Sequence, residues 1–179
     1  ASDVYKRQQF LPASSPRQDI ENNTSTSPLS AYSIERINIT DKFGAQVSSH
    51  KLEFEYVEGT DTSNTLSFYL PTNQKRLFLK SVRQSAFENS VEKLLPPYEF
   101  TYSDIKLPNR FSNSIDWWGF YNGRQNGNTY DPFSMQSTMD FLVSYHINGG
   151  REVGPEFSQA GMLKKVTYPT GGSSEYEYE

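Results

Sequence analysis

Short runs in which apolar and polar residues alternate recur along this chain, and a period of two places one set of side chains on a single face of an extended strand. Ile37 and Ile39 alternate with Asn38 and Thr40. After the turn residues Asp41-Lys42-Phe43-Gly44, Leu52, Phe54 and Tyr56 alternate with Lys51, Glu53 and Glu55. This is the pattern of a hairpin or meander. Leu66, Phe68 and Leu70 make a third run, closed by Pro71, which lacks the amide a ladder needs. Leu77 and Leu79 open a fourth, and Tyr98, Phe100 and Tyr102 form a fifth after Pro96-Pro97. Met139, Phe141, Val143, Tyr145 and Ile147 predict a further strand, ended by Asn148-Gly149-Gly150. Residues 85–95 are ambiguous. Ser85 and Glu88 have the spacing of a capping box, but Asn89, Ser90 and Val91 are modest helix formers, so the balance is against a helix.

The side chains available for a core agree with strands. Apolar residues make up only 35% of the 179, yet aromatics reach 15%, with 12 Tyr and 12 Phe, and rings suit a pleated, half-buried surface better than a helical turn. The expected fold class is all-β: antiparallel hairpins or a meander forming an open sheet, a sandwich or the start of a repeat β-shell. The length limits the chain to one or two modules. Residues 1–8, ASDVYKRQ, read as a translated sequencing-adapter remnant, and residues 9–31, rich in Ser, Asn, Thr, Gln and Pro, as a polar linker or poorly packed edge. Residues 32–160 then form a β-rich domain, and residues 161–179 one hairpin unit, read as truncated.

Several function classes fall away. A net charge of -4 lacks the electrostatic footprint of a general nucleic-acid binder. With no cysteine there is neither a disulfide scaffold nor a thiolate metal site, and no apolar run approaches the length of a membrane span. His50 and His146 are the two histidines, and neither has metal-ligand spacing. No Gly-x-Ser-x-Gly elbow or phosphate-cradling glycine loop occurs, so no catalytic, metal or cofactor residue is assigned. Asp104, Asp116, Asp131, Asp140, Glu152 and Glu156 are expected to be solvated surface acids, since nothing selects one pair for acid–base work.

Residues 109–132 read as a loop dense in Asn and Gly, yet they carry Trp117, Trp118, Phe120, Tyr121 and Tyr130. Large rings in Gly-rich loops usually anchor the loop on a sheet, so plugging of the core is the expectation. The alternative is a carbohydrate-binding β-sandwich displaying Trp117, Trp118 and Tyr121 as a platform. In that reading Asn122, Arg124 and Asn126 stand ready for sugar hydroxyls.

The most legible stretch is GMLKKVTYPTGGSSEYEYE, residues 161–179. Met162, Val166 and Tyr168 share one face, Pro169-Thr170-Gly171-Gly172 supplies a turn, and Tyr176 and Tyr178 return with Glu175, Glu177 and Glu179 facing the other way. Gly161 and Leu163, Pro169 and Gly171, then Tyr176 and Tyr178 resemble a single YD repeat of the rearrangement-hotspot (Rhs) family, with Glu179 where the family usually ends on Asp. Upstream, Pro96-Pro97-Tyr98-Glu99-Phe100, Asp116-Trp117-Trp118-Gly119-Phe120-Tyr121-Asn122-Gly123 and Arg151-Glu152 leading to Ala160-Gly161-Met162-Leu163 look like the region before the repeats in large Bacteroidetes-type Rhs proteins. The resemblance covers roughly residues 32 to 179.

The resemblance implies a long chain of hairpins wound into a hollow shell, in some relatives enclosing a C-terminal toxin or presenting it at the cell surface. It implies a non-enzymatic structural module, extracellular or on the cell surface. Its partners would be neighbouring repeats of the same parent chain and an enclosed effector. Single repeats cannot bury their own faces, so stacking on neighbours would supply the core.

Overall fold

The computed structural model describes residues 6–20, 30–59, 71–88, 91–124, 126 and 150–178. The strands expected at residues 66–70 and 139–147 lie outside the described residues, as do Tyr130, Asp131, Asp140, His146 and Glu179. The chain forms two compact units. The first comprises Ala1–Tyr56, Leu77–Thr101 and Leu163–Tyr176, and the second Val57–Arg76, Tyr102–Met162 and Glu177–Glu179.

The chain is all-β, as the alternation predicts, and of the expected forms it takes the open sheet. The described strands are β1 (Arg7–Pro12), β2 (Ile34–Thr40), β3 (Gln46–Glu58), β4 (Lys75–Glu88), β5 (Val91–Leu94), β6 (Tyr98–Tyr102), β7 (Leu163–Thr167) and β8 (Ser173–Glu175). They are hydrogen-bonded in the order β1-β2-β3-β4-β6-β7-β8, with β5 paired to β4 off this path. The β2–β3 turn is fastened by Asp41. Its backbone N–H donates to the Ala45 carbonyl at 2.9 Å, and its Oδ1 accepts from the amides of Phe43 at 2.8 Å and Ala45 at 2.9 Å. An Asp side chain that mimics a backbone acceptor is the physical reason this residue type suits the position.

Within the stretch read as remnant and then polar linker or poorly packed edge, Arg7–Pro12 forms a strand. It is an edge strand, antiparallel to β2 from Arg7↔Thr40 to Pro12↔Ile34, with a slip between Leu11 and Pro12. Its side chains are mostly exposed, so the ladder rather than burial places it. Pairing continues through Ala13 N–H to Ser33 O at 2.9 Å and Arg17 N–H to Ala31 O at 2.8 Å. Beyond it, Arg17 donates to buried Asp19 through Nε at 3.0 Å and a second guanidinium nitrogen at 2.6 Å, and this hydrogen-bonded partner raises the Arg17 pKa.

Residues 85–95 contain no helix among those described. β4 runs on to Glu88 and β5 returns beside it, from Ser85↔Leu94 to Glu88↔Val91. β6 pairs with the same strand at Ser81↔Glu99 and Val82↔Tyr98. Moving from Ser81 to Ser85 on β4 therefore passes one more residue on the returning strand, from Glu99 to Leu94. The slip falls at Pro96-Pro97, where two successive residues have no N–H to give. Leu95 N–H still reaches the Gln84 carbonyl at 3.0 Å.

Small polar side chains are buried between these strands. Ser49 on β3 and Ser85 on β4 are buried, with their hydroxyls 2.7 Å apart. Ser49 Oγ also lies 3.4 Å from Glu92 Oε1, which accepts from Arg36 at 3.1 Å. Farther along, Ser81 Oγ donates to Glu53 Oε2 at 2.9 Å, and Lys51 to Glu53 Oε1 at 3.2 Å. The hydrogen bond from Ser81 holds the Glu53 carboxyl below its ordinary 4.5, and hydrogen bonding by Ser85 does the same for Glu92.

Both folded carboxyls titrate lower than in the unfolded chain, so their contribution is complete above the ordinary carboxylate value. It is lost as pH falls through the depressed values. Urea midpoints measured from pH 7 down to pH 3 should be level and then fall across the acid end, and Ser81→Ala should flatten part of that fall. An unchanged acid limb in Ser81→Ala would show that the bond to Glu53 contributes nothing.

Buried apolar residues are scarce: among those described they are Val166 on β7, Ala160 and Pro108. Tyr168, just past β7, packs edge-on against Tyr98 of β6 with centroids 6.1 Å apart and planes at 88°.

Candidate functional site

The described residues 103–124 of the second unit are mostly irregular backbone, and irregular backbone must find partners for amides that no ladder satisfies. The sequence supplies them as Asn, Asp and Ser. Asn109, Ser114, Asp116 and Asn122 are all buried. Asn109 Oδ1 accepts from the Phe111 amide at 2.9 Å. Asn122 Nδ2 donates to the carbonyls of Gly150 at 2.8 Å and Glu152 at 3.2 Å. Asn126 adds a reciprocal pair with Gly150, both bonds 3.0 Å long.

Asp116 is the centre of this scaffold. The segment Ile115 to Tyr121 folds back on itself, with the two end residues joined by an antiparallel bridge. Asp116 Oδ1 accepts from the amides of Trp118 and Phe120, each at 2.9 Å, while the Asp116 amide donates to the Phe120 carbonyl at 2.8 Å. Gly119 sits at φ 91°, a left-handed conformation that a side chain at this point of the turn would strain. Arg151 donates to the Asp116 carbonyl at 2.9 Å and lies over the Trp117 ring, 4.6 Å from its centroid. The Arg151 Nε is buried with no acceptor among the described residues, so the electron-rich ring face is what offsets its lost hydration.

This arrangement corrects two expectations. Asp116, expected to be a solvated surface acid, is 2% exposed. The tryptophans, expected to plug the core, are outside: Trp118 is 71% exposed and Trp117 53%. The physical reason is that a tight turn needs acceptors for its own amides, so the carboxylate takes the inner position and the rings are turned outward. Tyr121 does not share their surroundings. It is half-buried and packs edge-on against Phe157 of the short helix α1 (Pro155–Ser158), centroids 5.4 Å apart. Phe120 is the third exposed ring of the turn, and the sequence reading had not grouped it with the platform. Arg124 and Glu152 form an exposed ion pair in the same unit.

The residues of the repeat-like motif fall in and around the β7–β8 hairpin. Gly161 has φ 74°, Leu163 begins β7, and Pro169 and Gly171 lie in the turn, Gly171 at φ 89°. That turn is closed by Gly171 N–H to Tyr168 O at 2.9 Å and Tyr168 N–H to Gly172 O at 2.7 Å. The strands pair from Lys165↔Glu175 to Thr167↔Ser173, and Tyr176 extends the ladder by donating to the Lys164 carbonyl at 2.9 Å. Tyr176 and Tyr178 are exposed. His50 lies on β3 opposite Ile37, and no metal-sized group of His, Asp or Glu occurs among the described residues.

No family model matches the chain, and neither a curated protein nor a solved structure matches it. The class that can be stated is therefore architectural: an all-β chain on an open sheet, with a polar-anchored, tryptophan-tipped turn in its second unit.

Proposed function

We propose that this chain is a non-enzymatic structural module of a large exported Rhs/YD-repeat protein, contributing hairpins to a β-shell that scaffolds or encloses a C-terminal effector. The observation that carries the reading is the β7–β8 hairpin, whose motif residues take turn and strand positions suited to a repeat unit. Among the described strands β8 ends the sheet order, an edge of the kind to which a following hairpin can add. The scarcity of buried apolar residues and the exposure of Tyr176 also suit a unit whose faces are covered by neighbours. In this reading the module acts outside the cell or at its surface, with neighbouring repeats as its partners.

The test is the parent reading frame and the protein it encodes. Continuation into several more Gly-x-Leu, Pro-x-Gly, Tyr-x-Tyr units should be found. In the longer protein the β8 amides should exchange with deuterium at least about tenfold more slowly than in this chain alone, as expected for newly paired backbone. A stop codon directly after Glu179, or unchanged exchange in the longer protein, would overturn the reading.

A further inference from the structure

Asparagine converts most readily when glycine follows it, because a residue without a Cβ leaves its amide nitrogen free to close on the asparagine side-chain carbonyl carbon. Asn122-Gly123 is such a pair, and the fold itself demands the glycine. Gly123 sits at φ 71°, and a Cβ on it would lie 2.3 Å from the Phe157 ring. The labile pair also stands at the centre of a clamp. The Asn122 amide donates to the Ser114 carbonyl at 3.1 Å, and its Nδ2 donates to the carbonyls of Gly150 at 2.8 Å and Glu152 at 3.2 Å. Its Oδ1 accepts from the Arg124 amide at 3.2 Å. We propose that Asn122-Gly123 is a self-modification site, kept as asparagine while this clamp is closed and converted to aspartate and isoaspartate once it opens, so that the opening becomes permanent.

The reaction needs only water. The Gly123 amide nitrogen gives up its proton and bonds to Asn122 Cγ; the Cγ–Nδ2 bond breaks, and Nδ2 leaves as ammonia with that proton. The succinimide ring so formed then takes up one water. Cleavage of its bond to Cγ gives aspartate, and cleavage of its bond to the Asn122 main-chain carbon gives isoaspartate. No group is oxidised or reduced.

The closed clamp opposes the first step. Ammonia can leave only if Nδ2 abandons both carbonyls, at a residue 3% exposed. The Phe157 ring lies against Gly123 and edge-on to Tyr121, which restrains the main chain that ring closure must bend. Asn126, also followed by glycine in the sequence, is tied in the same manner: its Nδ2 donates to the carbonyls of Asn113 and Gly150, and its Oδ1 accepts from the Gly150 amide.

The same contacts make the change one-way. Aspartate has no donor where Nδ2 stood and sets a carboxylate oxygen against two carbonyl oxygens. Isoaspartate lengthens the main chain by one atom beside Gly154, where a Cβ would already lie 2.6 Å from the Asn122 carbonyl oxygen.

Trypsin cleavage after Arg110 and Arg124 releases residues 111–124, in which Asn122-Gly123 is the only Asn-Gly pair, so mass spectrometry scores this position alone. The full chain and a synthetic peptide of the same residues would be held at neutral pH over a series of urea concentrations. Without urea, conversion in the chain should be at least about tenfold slower than in the peptide, as expected for a reaction that needs local opening. It should rise to the peptide's rate across the unfolding transition seen by tryptophan emission. Asn122→Asp, the aspartate product made directly, should have a lower urea midpoint than the parent. Conversion in the folded chain at the peptide's rate, a rate indifferent to the unfolding transition, or a parent-like midpoint for Asn122→Asp would overturn the inference.

Discussion

Replacing Asp116 with alanine should cost the second unit about 3 kcal/mol, the largest single effect of any exposed-turn substitution in this chain. Two backbone amides, those of Trp118 and Phe120, lose the Asp116 Oδ1 acceptor at once, in a position 2% exposed where water cannot easily replace it. Asp116→Asn keeps an oxygen in the same place and should recover roughly half of the loss, because a neutral amide oxygen accepts more weakly than a carboxylate. Urea unfolding followed by tryptophan emission measures this unit specifically. Equal midpoints for the parent and Asp116→Ala would mean that the turn is held by its neighbours and not by this side chain.

The second large effect is expected at Gly154, for a steric reason with no conformational component. Its φ of -111° is open to any residue, but a Cβ there would lie 2.6 Å from the Asn122 carbonyl oxygen and 3.0 Å from the carbonyl carbon. Asn122 cannot retreat freely, because its side chain is tied to the carbonyls of Gly150 and Glu152. Gly154→Ala should therefore destabilise by roughly 2 kcal/mol, in the range of overpacking. The control is Gly171→Ala in the β7–β8 turn, where nothing lies within 4 Å and only the positive φ is strained, so a loss of about 1 kcal/mol is expected. A smaller loss at Gly154 than at Gly171 would contradict the close approach.

How much of this could be read from the sequence depends on whether the information is local. β2, β3, β4 and β6 were legible because Ile37 and Ile39, Leu52, Phe54 and Tyr56, Leu77 and Leu79, and Tyr98 and Phe100 alternate with polar residues. β1 was not. Its six residues include only Phe10 and Leu11 as large apolar side chains, and it is placed by the ladder of β2, a partner more than twenty residues away. β5 was obscured by a capping-box spacing at Ser85 and Glu88 that the pairing with β4 overrides.

At the candidate site the aromatic cluster was legible and its orientation was not. Richness in Asn, Asp and Ser suggests solvent, whereas here those residues are the interior. One local signal did point the right way: an Asp two residues before Trp118 and four before Phe120, with Gly119 between, has the spacing of a side chain that caps its own turn.

The break at Pro96-Pro97 has a consequence for the behaviour of the protein in concentrated solution. β5 displays Val91 and Leu94 to solvent on a strand paired to β4, and an extended apolar edge of that kind is a template for intermolecular cross-β growth. Here the template is only four residues long. It is cut at one end by two residues that cannot donate, and Glu92 and Lys93 interrupt it with charge. The prolines that displace the register by one residue thus also act as gatekeepers against fibril formation.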